Sequence, residues 1–574
     1  MTWTQRLDPA VPVCALAALT PLVVAPPLFD QVVMPRLAAT FVLTGLALGC
    51  AAASSFRPYR DVPAAPARVA ATFLGLTALS TGIGVDPRGA LLGEFQRYQG
   101  LITVTVCTLL MLVTGAAATT SSKVRFLAWS FLFGGAVASL YAILDVAGLD
   151  WIDWSNASSR RAGGLFAQPN VLATQLVVCA LVGTGLMSHE SGWRQAVAAA
   201  ATGAMLAVLV LTMSRGGWVA AVIGACAFVS LSQRITRATL LAAAGVGVLS
   251  LAAVAAIPQS RTVLDSAVAR ADAGSDIDNQ STRLSLWRLA FEMWEDHPVL
   301  GGGPDSFSTL FPSYREPDQP GIGTANVRPE SAHSFFFDQL VGLGALGVTA
   351  FVALVALVLF PALRSRGGGP LEPIAASFAA AIVAYFIAVA FSFSEAMTGW
   401  MPWVLMGGLL GLSHQRSGAG ERRPADRVVS SWTRGGLLAA GLVAILSGCL
   451  LVLADWNAGR AATRSDANAA VEHARFASRI NPLLPGYLLQ LGESWKIAAG
   501  RYDEAAHHFH EANVRFAPTA YSLIAEADAL FLVDSERNRE RILALLVAAE
   551  TLDPHNEPAA ASIDGIRQSI EEAN

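Results

Sequence analysis

Residues 333–361 read HSFFFDQLVGLGALGVTAFVALVALVLFP, with Asp338 the only acidic or basic side chain after His333. A helix needs roughly 20 predominantly apolar residues to cross a bilayer, and this run exceeds that. A helix also satisfies its backbone groups internally, which is the condition for lying in hydrocarbon. Similar runs recur on both sides of it, separated by short polar breaks. Their approximate limits are 10–29, 36–54, 66–83, 100–118, 124–146, 169–188, 195–213, 216–232, 237–257, 333–361, 371–392, 397–413 and 434–455, about thirteen candidate spans. Of the 574 residues 53% are hydrophobic and 14% charged, against about 25% charged in soluble domains. The deficit of charge ends near residue 455. The expected fold is therefore all-α: a polytopic membrane helical bundle over residues 1–455, followed by a soluble helical domain over 456–574.

Orientation follows from the lysines and arginines of short loops, which concentrate on the cytoplasmic side. One alternating set holds Arg57, Arg60 and Arg68, then Lys123 and Arg125, Arg194, Arg234 and Arg237, Arg364 and Arg366, and Arg416, Arg422, Arg423, Arg427 and Arg434. The opposite loops are poorer in positive charge. The N-terminus is thus expected inside, and the large loop 258–332 outside. An odd number of spans sends the C-terminal domain outside as well. Arg6 precedes an apolar run, as in a signal peptide, but further spans follow, so the first run reads as a signal anchor.

The tail carries a repeat. In residues 487–518, Leu488, Gly492, Trp495, Gly500, Tyr502, Ala505, Phe509, Ala512 and Pro518 stand where a tetratricopeptide repeat places its packing residues. Pro482 and Pro554 flank Pro518 at equal distance, each after an alanine-rich stretch. The alternative is a generic helical bundle. A stacked array of this kind offers a face for a protein partner.

Other classes are disfavoured. No basic stripe interleaved with aromatics suggests nucleic acid. The six cysteines, Cys14, Cys50, Cys107, Cys179, Cys226 and Cys449, all lie in apolar runs without metal-ligand spacing, and no disulfide is expected.

Charged side chains at membrane depth cost roughly 2.5–3.5 kcal/mol on insertion scales, so those at the outer edge are candidates for function. Arg215, in Ser214-Arg215-Gly216-Gly217, offers a guanidinium whose fork suits phosphate oxygens; the alternative is a turn arginine reaching the headgroups. In the segment 281–303, Leu284, Trp287, Phe291 and Trp294 form an apolar stripe at helical spacing, which suggests an interfacial amphipathic helix. Arg283 near its start could reach a cavity or merely face water. Pro298 and Gly301-Gly302-Gly303 read as the stop of that helix. His333 heads a span and could act as a base near neutral pH, although a lone histidine there is commonly an interface residue. Further candidates for substrate contact are Arg97 with Glu94, Arg161 beside Arg160, and Glu395.

Taken together, these segments resemble the bacterial O-antigen ligase and polymerase superfamily, which includes O-linked protein oligosaccharyltransferases. The matching pieces, in order, are GEFQRYQGL at 93–101, RAGGLFAQPN at 161–170, SRGGW at 214–218, RLSLW at 283–287 with DHPVLGGGPDSF at 296–307, and AHSFFFDQLVGLGALG at 332–347. They cover roughly residues 90–350. Two departures stand out: Ser334 where the family usually has asparagine, and Gly342 where it often has glutamate. Asp338, one turn earlier, is the candidate to replace that carboxylate.

The resemblance implies a glycosyltransferase of a bacterial inner membrane, acting on its extracytoplasmic side. Arg215 and Arg283 would bind the diphosphate of a polyprenyl-linked glycan donor, and His333 would take the proton of the acceptor hydroxyl. Arg97, Arg161 and Asp338 are further candidates for substrate binding. Inversion at the anomeric carbon is implied, with no cofactor and no metal required. The acceptor stays open among glycan, lipid and protein, as does the choice between ligase, repeat-unit polymerase and protein oligosaccharyltransferase. A transporter or flippase is the rival from another class; it would show repeated halves with binding at the midplane, whereas the polar candidates here gather on one side. A scaffold would need one span, not many. The peptidoglycan polymerases are a many-span rival whose signatures are not found.

Overall fold

The computed structural model describes residues 8–54, 63–150, 152, 161–232, 275–317, 328–364, 372–416, 431–498 and 500–572, with four isolated positions between 245 and 256. All but those four positions of the expected span 237–257, the loop stretches 257–274 and 318–327, Arg160, and the loop arginines Arg57, Arg60, Arg234, Arg237, Arg366, Arg422, Arg423 and Arg427 lie outside the described residues.

The described residues form helices, and seven of these are long and apolar enough to cross a membrane: Val33–Ala53, Ser121–Val146, Pro169–His189, Trp193–Leu211, Phe335–Pro361, Glu372–Ala390 and Thr433–Thr463. Leu101–Ala117 and Arg215–Leu231 are shorter apolar helices, and Ala64–Ile83 and Ala396–Arg416 complete the bundle. Twelve of the thirteen expected spans thus coincide with helices. The first is much shorter than its apolar run: Ala10–Leu19 gives way to a 3-10 turn at Thr20–Leu22, because Pro21 lacks the donor that would continue the helix.

Close approach by small residues holds the bundle together, as expected where lipid removes the hydrophobic drive between helices. Val33–Ala53 crosses the long helix Ser431–Thr463 glycine on glycine: a Cβ at Gly45 would sit 2.4 Å from the Gly441 carbonyl oxygen, and one at Gly448 would sit 2.8 Å from that of Ala38. Pro169–His189 is nearly all buried at the centre, whereas the helices at 335–361 and 433–463 present much of their surface outward.

The two ends of the bundle differ. At one, Lys123 pairs with Asp8 at 2.8 Å, and Glu190 draws Arg125 and Arg194. At the other gather the connections 84–100, 297–317, 328–334 and 391–395 and the C-terminal domain. That domain consists of helices Ala467–Ile480, Pro485–Glu493, Tyr502–Arg515, Ala520–Val533, Arg539–Leu552 and Glu557–Glu572. Their starts are almost evenly spaced, and neighbours pack antiparallel. Gly492 lies under Phe509, where a Cβ would meet the ring at 2.6 Å, and Trp495, Ala505 and Phe509 are buried.

The domain is joined firmly to the bundle. Arg315 and Asp553 form a buried ion pair at 2.8 Å. The Tyr487 hydroxyl donates to Asp455 at 2.7 Å, Asp455 accepts the backbone N–H of Asp30 at 2.8 Å, and Asp30 accepts the Tyr98 hydroxyl at 3.2 Å. The C-terminal domain and the connection 297–317 therefore lie on the same side of the bundle, whatever the number of spans.

Candidate active site

The loop helix Ser275–Asp296 packs through Leu286, Leu289, Ala290 and Met293, which are buried against Phe307, Phe311, Ala332 and Val341. The stripe read from the sequence is its other side: Leu284 and Phe291 are exposed. Both faces are apolar, one toward protein and one outward, so the 3.6-residue period alone does not choose between them. Only Trp287 bridges inward, stacking on Phe337 at 5.5 Å and lying 6.4 Å from Phe391.

The glycines 301–303 do more than stop that helix. The helix has ended by Asp296. The N–H groups of Gly302 and Gly303 donate to the carbonyls of Val341 and Gly342 at 2.8 and 3.0 Å, and the Ser80 hydroxyl donates to Gly342 at 2.7 Å. Gly301 has φ +71° and Gly344 φ +61°, and a Cβ on either would collide with the other strand of backbone at 2.4–2.6 Å. Here two backbones cross without side chains between them, and the helix from Phe335 breaks at Gly344. A Cβ at residue 342 would lie 3.0 Å from the Gly303 oxygen, tight against the facing backbone.

Asp338, one turn before Gly342, is held in a network of its own. It accepts the Ala332 N–H at 2.8 Å and pairs with Arg97 at 3.0 Å. Arg97, 2% exposed, also pairs with Asp305 at 3.2 Å and donates to the Glu330 carbonyl at 2.8 Å. Asp305 in turn accepts the N–H groups of Glu94 and Gln99. Burial opposes the charge on Arg97, but Asp305 and Asp338 outweigh it and hold the guanidinium above its ordinary pKa. This cluster ties three connections and the helix from Phe335 into one block, so Arg97 and Asp338 act as its framework. Arg161 plays a similar part elsewhere: it donates to the Thr212 carbonyl at 2.8 Å and to Asn170 at 3.0 Å, fixing the turn from which Arg215 emerges.

Arg215 opens its helix behind Ser214, whose hydroxyl accepts the Gly217 N–H at 3.3 Å. Arg215 is exposed, whereas Arg283 and His333 are half-buried. The three come together around the turn 391–395. A Cβ at Gly216 would be 3.5 Å from that of Phe391, Trp287 of the Arg283 helix lies against the same phenylalanine, and the His333 ring is 5.5 Å from that of Phe393. Their charges act on one another. Burial and then Arg215 lower the pKa of Arg283. Burial, then Arg283 and Arg97, push the imidazole of His333 down to about 4, so it is neutral near pH 7.

The backbone marks the same place. Among the described residues, the non-glycine residues with positive φ are Gln96, Tyr98, Ala167, Met213, Asp305 and His333. Two flank Arg97, one partners it, one shortly precedes Arg215, and one is the histidine itself. Each such residue costs roughly 1–3 kcal/mol and persists where its surroundings impose it, commonly at functional sites.

Two further ionisable groups are buried, Arg36 and Glu395. Arg36 is fully buried and donates to the carbonyls of Thr20, Pro21, Val32 and Leu165 at 2.9–3.2 Å, with its guanidinium over Phe166. Its position at the head of an apolar run gave only the signal of a boundary arginine. Glu395, noted as a weaker candidate, is buried with one oxygen lacking a partner among the described residues. Burial first, then Asp30 and Glu330, push its pKa up to about 8.

Residues 200–352 match the family model described as O-antigen ligase. No curated protein and no solved structure matches the chain. Arg215, Arg283, His333 and Asp338 fall inside the matched segment; Arg97, Arg161 and the C-terminal helices fall outside it, and no repeat family was identified in the latter. Over residues 200–352, within a bundle whose helices are long and apolar enough to cross a membrane, the chain is thus similar to the O-antigen ligase family, a likeness that points toward membrane glycan transfer of the ligase or polymerase kind.

Proposed function

We propose that this protein transfers a glycan from a polyprenyl-diphosphate carrier to an acceptor hydroxyl at the extracytoplasmic face of a bacterial inner membrane. The observation that carries the reading is the meeting of two guanidinium-bearing elements and one neutral imidazole around the turn 391–395, at the edge of the bundle. Arg215 and Arg283 repel each other when the site is empty. A diphosphate placed between them removes that repulsion and gains charge-assisted hydrogen bonds.

In the reaction, the acceptor oxygen attacks the anomeric carbon while the bond from that carbon to the diphosphate oxygen breaks. The bonding pair leaves with the diphosphate, where the guanidinium groups stabilise it. The acceptor proton passes to His333, and the configuration inverts. The bound diphosphate also offsets the positive charges that depress the imidazole, so donor binding makes His333 a stronger base when it is needed.

The acceptor is a glycan, lipid or protein hydroxyl. In a deletion strain, long polymer stalled on the carrier identifies a ligase, and single repeat units identify a polymerase. The site itself is tested by Arg215→Ala, Arg283→Ala and His333→Ala in membranes holding equal amounts of protein. Each substitution is expected to slow transfer by about 10²–10³-fold or more. Near-normal transfer by all three variants would refute the assignment.

A further inference from the structure

Between the connections at the site end of the bundle and the C-terminal domain lies a cavity of about 280 Å³. From its composition we infer that it is a binding subsite for an uncharged sugar ring of the glycan, rather than for the diphosphate. The inference rests on the glycan-transfer reading and specifies where the sugar portion of a substrate is held.

Four features of the cavity point to a sugar. Its walls include the rings of Phe29, Phe95 and Phe516, and aromatic rings pack well against the C–H faces of a pyranose. Gly93, Gly302 and Gly486 also line it, letting a ring approach the backbone. Ser306 is 5% exposed, yet its hydroxyl has no hydrogen-bond partner among the described residues. A buried, unpaired hydroxyl costs on the order of 1–3 kcal/mol, and a sugar hydroxyl in the cavity would relieve it. Finally, Glu94 and Arg328 stand 3.6 Å apart, both partly open to solvent, and offer an acceptor beside a donor, which is what a hydroxyl can use from both sides.

Charge argues against a phosphate. Asp86, Glu94 and Asp305 line the cavity against one arginine. Position argues for a role in transfer. Asp305 forms part of the wall and is the partner of Arg97, whose charge is felt by His333. One ion pair therefore separates the cavity from the framework of the reacting groups. The wall is completed by the C-terminal domain, where the Ala517 N–H donates to Asp86.

The test uses the purified full chain in detergent and methyl glycosides of glucose, galactose, mannose, rhamnose and N-acetylglucosamine, followed by saturation-transfer NMR. At least one glycoside is expected to bind. Ala517→Trp, which fills the cavity, should abolish the signal, and Ser306→Ala should weaken binding about five-fold, the value of one neutral hydrogen bond. Phe516→Leu is the substitute if Ala517→Trp does not elute as a folded protein. His333→Ala should bind glycoside normally while losing transfer, which separates this inference from the catalytic one. With transfer reconstituted, a rise confined to the acceptor's KM in Ser306→Ala assigns the cavity to the acceptor, and a rise confined to the donor's KM assigns it to the donor's outer sugars. The inference is overturned if no glycoside binds at about 10 mM or if the cavity-filling variant binds as well as the wild type. It is equally overturned if a peptide mixture, and no glycoside, is displaced by Ala517→Trp.

Discussion

His333 combines a left-handed backbone, partial burial and two positive neighbours. Its imidazole is held at about 4 against an ordinary 6.5, so the base form is present above pH 4 and is lost as pH falls through that value. The acidic limb of kcat/KM, which reports the free enzyme, is expected well below pH 6.5. Arg283→Ala should move it up toward 6.5 by removing a like charge, and Arg283→Lys should leave it low; a wild-type limb at 6.5 would contradict the assigned environment. Arg215, Arg283 and His333 stand out in the sequence as candidates because an ionisable group at a membrane edge is costly enough to need a reason, and because each sits in a recognisable segment. Arg36 was not legible. Its partners are carbonyls as far off as Leu165, and nothing local distinguishes it from an arginine reaching toward headgroups. Arg97 and Arg161 were found as residues, but their framework role depends on Asp305, Asp338 and Thr212, which only the fold brings near.

Among the elements, the crossing of residues 301–303 with 342–344 makes the sharpest demand on side-chain size. Gly344→Ala would put a Cβ 2.5 Å from the Val299 backbone at φ +61°, combining a forbidden conformation with overpacking, and should cost about 2–4 kcal/mol. Gly75→Ala, with open space around its Cβ, should be neutral. Thermal unfolding in one detergent compares the two, and equal melting temperatures would count against the crossing. The sequence showed three consecutive glycines and offered a helix stop as sufficient reason; the partner glycines lie some forty positions on, inside an apolar run that reads as uninterrupted span. The loop helix shows a different limit. Its sequence period marks one apolar stripe, but Leu286, Leu289, Ala290 and Met293 make an equally apolar side, and that side is the buried one. Helices lie where the described apolar runs predict them, since apolarity is a local property, and seven are long enough to cross a membrane; Ala10–Leu19 falls short where proline intervenes.

At the scale of the whole molecule, the buried pair Arg315–Asp553 and the chain from Tyr487 to Tyr98 make bundle and tail a single body. Breaking a buried ion pair from one side costs roughly 3–5 kcal/mol, whereas replacing both partners by apolar residues can be neutral. Asp553→Ala should therefore raise hydrogen exchange across residues 467–572 with the bundle still protected, and Arg315→Met with Asp553→Leu should restore much of the protection. The contact also constrains topology: an impermeant maleimide should reach a cysteine placed at Arg537 and one placed at Glu316 from the same side of intact cells. From the sequence alone the side of the tail depended on counting spans, an argument that one error reverses; the packing makes it independent of the count. The tail also follows every span of the bundle in chain order. The wall that Tyr487 and Phe516 give to the interdomain chamber is absent until the helices after residue 463 have been made and docked, so a nascent chain with every span already inserted still presents that half-chamber as an open shelf.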